Sequence, residues 1–399
     1  MGSTVDTPSF QDTLASLNSA QRLAVTSKAD TLAILAGPGS GKTHTLASRV
    51  VWLIKHVGHR PQDVVVATFT VKAAREMKER IGKALGGECE KRIVLGTFHS
   101  IARRYLAAYG KNIGLSPKFG IADDGDSRAV IQRICKRTQS SVDPVVARSW
   151  ISKKKARGSG DAPRQRRANQ QAQQAQQPTE NEIELESIHE QYQAHLTRSN
   201  LLDYDDLLVR CVELLRAHPS CVSNVSAVLI DEYQDTNGIQ YDLMKLLAQA
   251  RSRITVVGDP DQSIYGWRSA EVRNLYRLLR EFPETEEVAL EENYRSSRAI
   301  LALSLSVIQE DKMRYQKVLK PVRDRGTRPV LRKLKSAHAE GDWIVSEIGR
   351  ITRMTGGMVQ MQDVAILLRS AALSRHIESA LGKAGIAYRM IGRCRLYRA

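Results

Sequence analysis

The sequence predicts an α/β fold built on a parallel sheet, and three observations lead to that prediction. Short apolar runs typical of buried strands alternate with longer runs of helical periodicity. A glycine-rich turn that ends in Lys42 and Thr43 follows the first apolar run. Two adjacent acids, Asp231 and Glu232, follow a later apolar run. An apolar strand that ends in two acids is the expected partner of a phosphate-binding turn.

The glycine-rich turn is predicted to cradle phosphate groups between a strand at 32–36 and a helix that covers 46–54. Glycine lets backbone N–H groups turn toward phosphate oxygens. The Lys42 ammonium would reach the β- and γ-phosphates, and the Thr43 hydroxyl would ligate Mg²⁺. An ordinary glycine-rich turn before a helix is the alternative. The pattern is G-x-x-x-x-G-K-[ST] with alanine in its first position, and it assigns to the nucleotide Ala36, Gly37, Pro38, Gly39, Ser40, Gly41, Lys42 and Thr43.

The remaining elements follow from the same two periodicities. An N-terminal helix is predicted at 17–25, with Asn18 or Ser19 as its N-cap. Further buried strands and the helices between them are expected at 64–69, 71–85, 93–99, 101–109, 227–232, 239–250 and 254–259.

The middle of the chain, 111–199, reads as a helical insertion without strand signals. Helical periodicity is present at 128–137 and 145–151. Basic clusters and a Gln/Ala run make 152–180 low in complexity, and we expect that segment to be flexible. The basic clusters fit a nuclear import signal, an arm that touches DNA, or a solvated basic loop.

Beyond residue 290 the sequence predicts the front of a second α/β domain. Helices are expected at 298–309, 340–352 and 374–384, a basic stretch at 317–335 and a strand at 364–368. Residues 1–15 are expected to form a loose tail.

Composition restricts the class of protein. The 399 residues carry a net charge of +17, which favours a polyanionic partner such as nucleic acid, although a merely soluble basic protein would also fit. The five cysteines include no C-x-x-C pair, so we expect neither a disulfide framework nor a zinc site. No apolar run approaches about 18 residues, and we expect no membrane span.

The acid pair is predicted to serve phosphoryl transfer. Asp231 would hold Mg²⁺, directly or through water, and Glu232 would orient and deprotonate the attacking water. A polar strand end without chemistry is the alternative.

With the motifs around the acid pair included, the sequence resembles the UvrD/Rep-type superfamily 1 DNA helicases over about residues 14–398. The acid pair continues as Asp-Glu-Tyr-Gln-Asp at 231–235, and the loop at 258–268 reads Gly-Asp-Pro-Asp-Gln-Ser-Ile-Tyr-Gly-Trp-Arg. Other motifs of that family occur in the family's order: Gln21, Ala36 to Thr43, Thr68-Phe69-Thr70, Gly96-Thr97-Phe98-His99-Ser100, Leu202 to Leu208 and Asn293-Tyr294-Arg295-Ser296.

The resemblance implies a domain order and a role for each matched residue. It implies a first RecA-like motor domain at 16–110 and 200–290, and a truncated second RecA-like domain at 291–399. Gln21 would read the adenine edge, and Tyr294 would stack on the adenine. Arg295 would act as an arginine finger, and Gln262 would sense the same γ-phosphate. The residues placed along single-stranded DNA would be Phe69, Thr70, Phe98, His99, Tyr265 and Trp267.

The implied function is an ATP-dependent 3′→5′ DNA helicase, with ATP and Mg²⁺ as cofactors and single-stranded DNA or a 3′-tailed duplex as partner. DNA repair or recombination would be its setting. Its compartment would be the nucleus if the chain is eukaryotic, as the Gln-rich insertion suggests, and the cytoplasm otherwise. The family continues beyond Arg398 with further motifs, so an ATP- and DNA-binding module without unwinding activity is the alternative. An unrelated phosphate-loop ATPase is a third, which the 258–268 loop argues against.

Overall fold

The computed structural model describes residues 14–158, 179–263, 273–312 and 314–391. It divides into two compact units, Met1–Thr327 and Arg328–Ala399. The first unit extends past residue 290 because the segment that follows folds back beside the glycine-rich turn.

The part of the first unit outside the insertion, which we call the motor part after the family resemblance, begins as the sequence predicts. Asn18 caps the first helix, accepting a hydrogen bond from the Gln21 amide at 2.8 Å. The elements are α1 (Ser19–Thr26), β1 (Thr31–Ala36), α2 (Lys42–Lys55), β2 (Val64–Thr68), α3 (Val71–Leu85), α4 (Gly87–Arg92), β3 (Val94–Thr97) and α5 (Phe98–Tyr109).

The insertion that follows contains a short parallel strand pair as well as helices. Its elements, with the helix that follows, are β4 (Gly120–Ala122), α6 (Asp124–Thr138), α7 (Pro144–Lys155), α8 (Glu180–Arg198), β5 (Leu201–Asp203) and α9 (Tyr204–Ala217). β4 pairs with β5 in parallel, so the prediction of an insertion without strands was wrong. Three-residue strands are too short to show an alternating pattern in sequence.

The prediction that the flexible segment at 152–180 begins at residue 152 was wrong. α7 continues through Lys155, whose buried ammonium lies 2.9 Å from Oδ2 of Asp203. Residues 159–178, with the second basic cluster and the Gln/Ala run, lie outside the described residues.

The chain then returns to the motor part through β6 (Ala227–Ile230), α10 (Gly238–Leu247), β7 (Ile254–Gly258), α11 (Arg273–Glu281), β8 (Glu286–Leu290), β9 (Glu292–Asn293), α12 (Arg298–Ile308) and β10 (Lys320–Pro321). Six strands form one parallel sheet in the order β3-β2-β6-β7-β1-β8, and β10 pairs with β9 in a separate ladder. The predicted parallel α/β fold is confirmed.

Both faces of this sheet are covered by helices. On β1, Ala33 and Leu35 belong to one buried apolar cluster, whereas Leu32 and Ile34 belong to another. Successive side chains point to opposite faces of a strand, so a strand that is buried on both faces is apolar throughout. For this reason the strands can be recognised in the sequence as continuous apolar runs.

The second unit contains α13 (Ala337–Met354) and α14 (Ser374–Lys383), which pack around Ile348, Ile377 and Leu381. The predicted strand at 364–368 was wrong, since these residues form no ladder. A strand requires a neighbour for its backbone groups, and none of the strands among the described residues pairs with this segment. The described helices include none that is long and apolar enough to cross a membrane.

Candidate nucleotide site and adjoining cleft

The glycine-rich turn joins the carboxyl end of β1 to the first residue of α2. Gly39 and Gly41 have φ angles of +64° and +83°, which glycine adopts without steric cost. The Ser40 hydroxyl donates to the Gly37 carbonyl at 2.7 Å, which closes the turn on itself. Lys42 and Thr43 are the first two residues of the helix that follows. The turn therefore has the strand, loop and helix N-terminus of a phosphate-binding loop.

Two side chains and one backbone N–H group from distant parts of the chain hold this loop. The Gln21 side-chain amide, which is buried, donates to the Ser40 carbonyl at 2.9 Å. The Tyr294 backbone N–H donates to the Gly39 carbonyl at 3.0 Å. The Asn293 side-chain amide donates to the Pro38 carbonyl, and its oxygen accepts from the Arg295 and Ser296 amides at 3.0 and 2.7 Å.

Gln21 and Tyr294, the two predicted adenine contacts, lie close together. The Asn18 side-chain amide donates to the Tyr294 hydroxyl at 2.9 Å, and the Asn18 backbone N–H donates to the Gln21 side-chain oxygen at 3.1 Å. Tyr294 is 39% exposed, so part of its ring can accept a stacked base.

The acid pair stands at the carboxyl end of β6. The Asp231 backbone N–H continues the ladder to the Ala67 carbonyl at 2.9 Å, which fixes the point where the acids emerge. Glu232 has φ 49° and ψ 48°, a left-handed conformation that is uncommon for a residue with a Cβ. Residues held in such conformations cluster at functional sites. Glu232 also accepts a hydrogen bond from the Gln234 side-chain amide at 2.8 Å.

The charges of the loop and of the acid pair influence one another. Burial lowers the pKa of Lys42, the Glu232 and Asp231 carboxylates act in the opposite direction, and the Arg295 guanidinium lowers that pKa further. Burial and the neighbouring Glu232 raise the pKa of Asp231 to about 7. The structure thus brings Lys42, Asp231, Glu232 and Arg295 together at the carboxyl edge of the sheet.

The acids suit a divalent cation. Burial and Glu232 also raise the pKa of Asp235, to about 6, and its buried Oδ1 has no hydrogen-bond partner among the described residues. Carboxylate and hydroxyl oxygens are ligands that Mg²⁺ prefers. The described residues contain no group of three or more His, Cys, Asp or Glu side chains placed to hold a metal ion, so a hydrated magnesium ion would have Asp231 and Thr43 as its candidate protein ligands.

Gln262 and Arg295 flank this cluster. The Gln262 side-chain amide donates to Oδ2 of Asp259, the residue after β7, and this sets the position of the amide. The Arg295 Cβ lies 2.6 Å from where a Cβ on Gly39 would stand, so only glycine fits there. Both predicted γ-phosphate contacts therefore come from loops at the same edge as Lys42.

A cleft of about 640 Å³ adjoins the site, between the motor part and the helical insertion. It is lined by the predicted DNA residues Phe69, Thr70, Phe98 and His99. Phe98 is only 3% exposed and belongs to the core, so it can form the floor of the cleft but has little ring face to offer a base. The other two predicted stacking residues, Tyr265 and Trp267, lie outside the described residues.

Two residues of this region carried no predicted role. Tyr204, at the start of α9, lines the cleft, is 46% exposed and meets His99 edge-to-face, with ring centroids 6.2 Å apart. Asn293 joins the glycine-rich turn to the arginine loop, as described above. Both residues belong to family motifs named in the sequence analysis. The sequence alone does not show that the Asn293 amide contacts the glycine-rich turn or that the Tyr204 ring lines the cleft.

The fold and this site define a nucleotide-binding α/β protein of the phosphate-loop class. Residues 17–283 match the UvrD/REP helicase N-terminal domain, and residues 288–399 match the UvrD-like helicase C-terminal domain. The chain therefore belongs to the UvrD/REP helicase family, which confirms the resemblance.

Curated relatives support the same assignment. The ATP-dependent DNA helicase srs2 of Schizosaccharomyces pombe is 42% identical over 392 residues, which cover 94% of this chain and 44% of that protein. The ATP-dependent DNA helicase PcrA of Leuconostoc citreum is 35% identical over 388 residues, 96% of this chain and 50% of that protein. PcrA of Staphylococcus aureus is 34% identical over 388 residues, with 96% and 51% covered. The chain spans about half the length of these relatives.

Proposed function

We propose that this chain carries the nucleotide site and the front of the DNA path of an ATP-dependent 3′→5′ DNA translocase and helicase. The single observation that carries the proposal is the position of Asp235. Glu232 raises the pKa of Asp235 and Lys42 lowers it, so Asp235 lies within electrostatic range of both residues. Asp235 also lines the cleft that holds Phe69 and His99. A motor that couples hydrolysis to movement on DNA needs such a direct connection between its two sites.

Hydrolysis is assigned to the residues at the carboxyl edge of the sheet. The Lys42 ammonium and the Arg295 guanidinium would neutralise the β- and γ-phosphates, and Gln262 would contact the γ-phosphate. Glu232 would orient the attacking water and accept its proton, since its carboxylate is already held by Gln234. Mg²⁺, held by Thr43 and Asp231, would neutralise charge that develops on the phosphates.

The DNA partner is assigned to the cleft. Aromatic rings on which bases can stack, together with a net charge of +17, suit a single strand that is bound without regard to sequence. The printed names of the relatives are ATP-dependent DNA helicases. By this likeness we propose movement in the 3′→5′ direction, a 3′-tailed duplex as substrate, a setting in DNA repair or recombination and, given the fungal relative, action in the nucleus.

The test measures ATP hydrolysis and strand separation with the purified chain. We expect single-stranded DNA to accelerate Mg²⁺-dependent ATP hydrolysis, and Glu232→Gln to abolish turnover while ATP still binds. Where strands do separate, the 3′-tailed duplex should be unwound and the 5′-tailed one should not. Hydrolysis without strand separation would instead support an ATP- and DNA-binding module. Absence of both ATP and DNA binding would overturn the proposal.

A further inference from the structure

The front of the basic stretch predicted at 317–335, with the residues just before it, returns to the nucleotide site. We call residues 314–323 the returning segment. Its β10 pairs with β9, and the Val322 amide donates to the Asn293 carbonyl at 3.1 Å. The Arg323 guanidinium donates to the Tyr294 carbonyl at 2.8 Å. The returning segment is thereby attached to the loop that carries Arg295.

The other end of the returning segment reaches the loop after β7. The Lys317 ammonium contacts Oδ1 of Asp259 and lies 3.0 Å from Oδ2 of Asp261. The Arg314 guanidinium lies 3.0 Å from the same Asp261 oxygen. The Lys317 side chain is 4% exposed and that of Asp259 is fully buried. This pair is closed to solvent. If one partner is lost, water cannot take its place without cost, and the charge of the other partner stays uncompensated.

Asp259 connects this ion pair to the predicted γ-phosphate contact. While Oδ1 meets Lys317, Oδ2 accepts the hydrogen bond from the Gln262 amide. The Asp259 backbone N–H donates to the Gln234 side-chain oxygen at 2.9 Å, and the Gln234 amide holds Glu232. Asp259 thus connects the returning segment to Gln262 through its carboxylate, and to Glu232 through its backbone N–H and Gln234.

We propose that Lys317 is a positioning residue of the nucleotide site, whose ammonium fixes the Asp259 carboxylate and through it the Gln262 amide that contacts the γ-phosphate. This inference rests on the proposed function. Hydrogen bonds to a charged acceptor are stronger and more directional than neutral ones, so a fixed carboxylate restricts the amide to one position. Without its cation, Asp259 would be a buried, uncompensated charge free to reorient.

The neighbourhood of Lys317 supports a role at this site. Burial and the Lys42 ammonium both lower the pKa of Lys317, so the two lysines are electrostatic neighbours, and the Asp259 and Asp261 carboxylates that contact Lys317 stabilise its charged form. Because the Lys317 ammonium is already engaged by two carboxylates, we assign it to positioning and not to direct phosphate contact. The predicted consequence concerns discrimination between ATP and ADP more than overall nucleotide affinity.

The experiment compares dissociation constants for Mg-ADP and for a non-hydrolysable Mg-ATP analogue, measured by displacement of a fluorescent nucleotide from the full chain. We expect Lys317→Met to reduce the preference for the triphosphate about tenfold, the loss expected for a hydrogen bond to a charged group. The affinity for ADP should stay unchanged. The matched control is Lys320→Met, which removes the same charge from a side chain that is 64% exposed.

Two further variants separate positioning from folding. Lys317→Arg keeps a cation between the two carboxylates and should restore most of the preference. If Lys317→Met fails to fold because Asp259 is left unpaired, the double variant Asp259→Asn with Lys317→Met removes both charges. That variant should fold, bind ADP normally and still lack the triphosphate preference.

Combining Lys317→Met with Gln262→Ala gives the most decisive test. The loss caused by Gln262→Ala should be no larger when Lys317→Met is added, since both changes remove the same contact. Additive losses, or full preference in a folded variant without the Lys317 charge, would overturn the inference. If the unaltered chain binds no nucleotide, the proposed function fails. If it binds ADP and the analogue equally, Gln262 senses no γ-phosphate and the inference fails alone.

Discussion

Lys155 and Asp203 form an ion pair that is buried beneath the helical insertion, with Nζ of the lysine 2.9 Å from Oδ2 of the aspartate. The same ammonium lies 2.7 Å from Oδ1 of Asp206, and the Tyr192 hydroxyl donates to Asp203 at 2.9 Å. Lys155 ends α7, whereas Asp203 ends β5 and caps α9, and Asp206 lies in the first turn of α9. The pair therefore joins the insertion to the motor part of the first unit.

Removal of this cation should destabilise the chain. Lys155→Met leaves two buried carboxylates without the ammonium that compensates their charge, and breaking a buried ion pair typically costs about 3–5 kcal/mol. Urea unfolding followed by circular dichroism would measure the loss. Lys153→Met is the matched control, because Lys153 is exposed on the same helix and its loss should change stability by under about 0.5 kcal/mol. Equal stability of the two variants would contradict the burial of Lys155.

The burial of Lys155 could not be predicted from the sequence. Lys153, Lys154 and Lys155 look alike in a basic run, which is typical of a solvated loop. Only the packing of α7 against β5 and α9 distinguishes the one that is buried. Partners 48 residues away along the chain leave no periodic signal.

The parts that could be predicted are those with local causes. The phosphate loop was legible because its glycines, lysine and threonine lie within eight residues, and β1, β2, β6 and β7 because burial on both faces makes them apolar throughout. The strand β8 was missed, since Glu286 and Glu287 interrupt its apolar pattern. β9 and β10 have two residues each, and their pairing depends on a return of the chain that no local pattern encodes.

The raised pKa of Asp231 predicts that stability falls as pH rises. Its pKa is about 7 in the folded chain, against an ordinary value of 3.8. Between these values the folded state holds a proton that the unfolded state has lost, so the free energy of unfolding decreases from about pH 4 to pH 7. The contribution is on the order of 3–4 kcal/mol.

The measurement is thermal or urea unfolding at a series of pH values in the presence of a chelator. Asp231→Asn should flatten much of this slope, leaving a smaller part from Asp235, whose pKa is raised to about 6. Asp30→Asn, which neutralises an exposed carboxylate, should leave the slope unchanged. A slope that Asp231→Asn does not alter would show that this acid is already ionised in the folded chain.

Lys42 should matter for nucleotide and not for folding. Burial already lowers the pKa of its ammonium, so replacing it removes a partly desolvated charge and costs no fold stability. We expect Lys42→Ala to lower Mg-ATP affinity and abolish ATP hydrolysis, with an unchanged melting temperature in the absence of nucleotide. Lys28→Ala, at an exposed position before β1, is the control for charge alone. Unchanged affinity and turnover in Lys42→Ala would remove the phosphate-loop assignment.

The cleft predicts a specific loss of DNA binding. Tyr204 is exposed, lines the cleft and is oriented by its edge-to-face contact with His99. If a base stacks on this ring, Tyr204→Ala should cost about 1–3 kcal/mol of binding to single-stranded DNA. Tyr204→Phe should bind as the unaltered chain does, because stacking uses the ring and not the hydroxyl. Fluorescence anisotropy with a labelled oligonucleotide would measure both.

Salt separates the aromatic contribution from the electrostatic one. Binding of the unaltered chain should weaken steeply with salt, since phosphate contacts release counterions. Tyr204→Ala should lower affinity by the same factor at every salt concentration, because a stacked ring releases no ions. The control is Tyr276→Ala, which removes a ring that is 50% exposed from α11. If Tyr276→Ala weakens binding as much as Tyr204→Ala, or if Tyr204→Ala binds normally, the single strand does not follow this cleft.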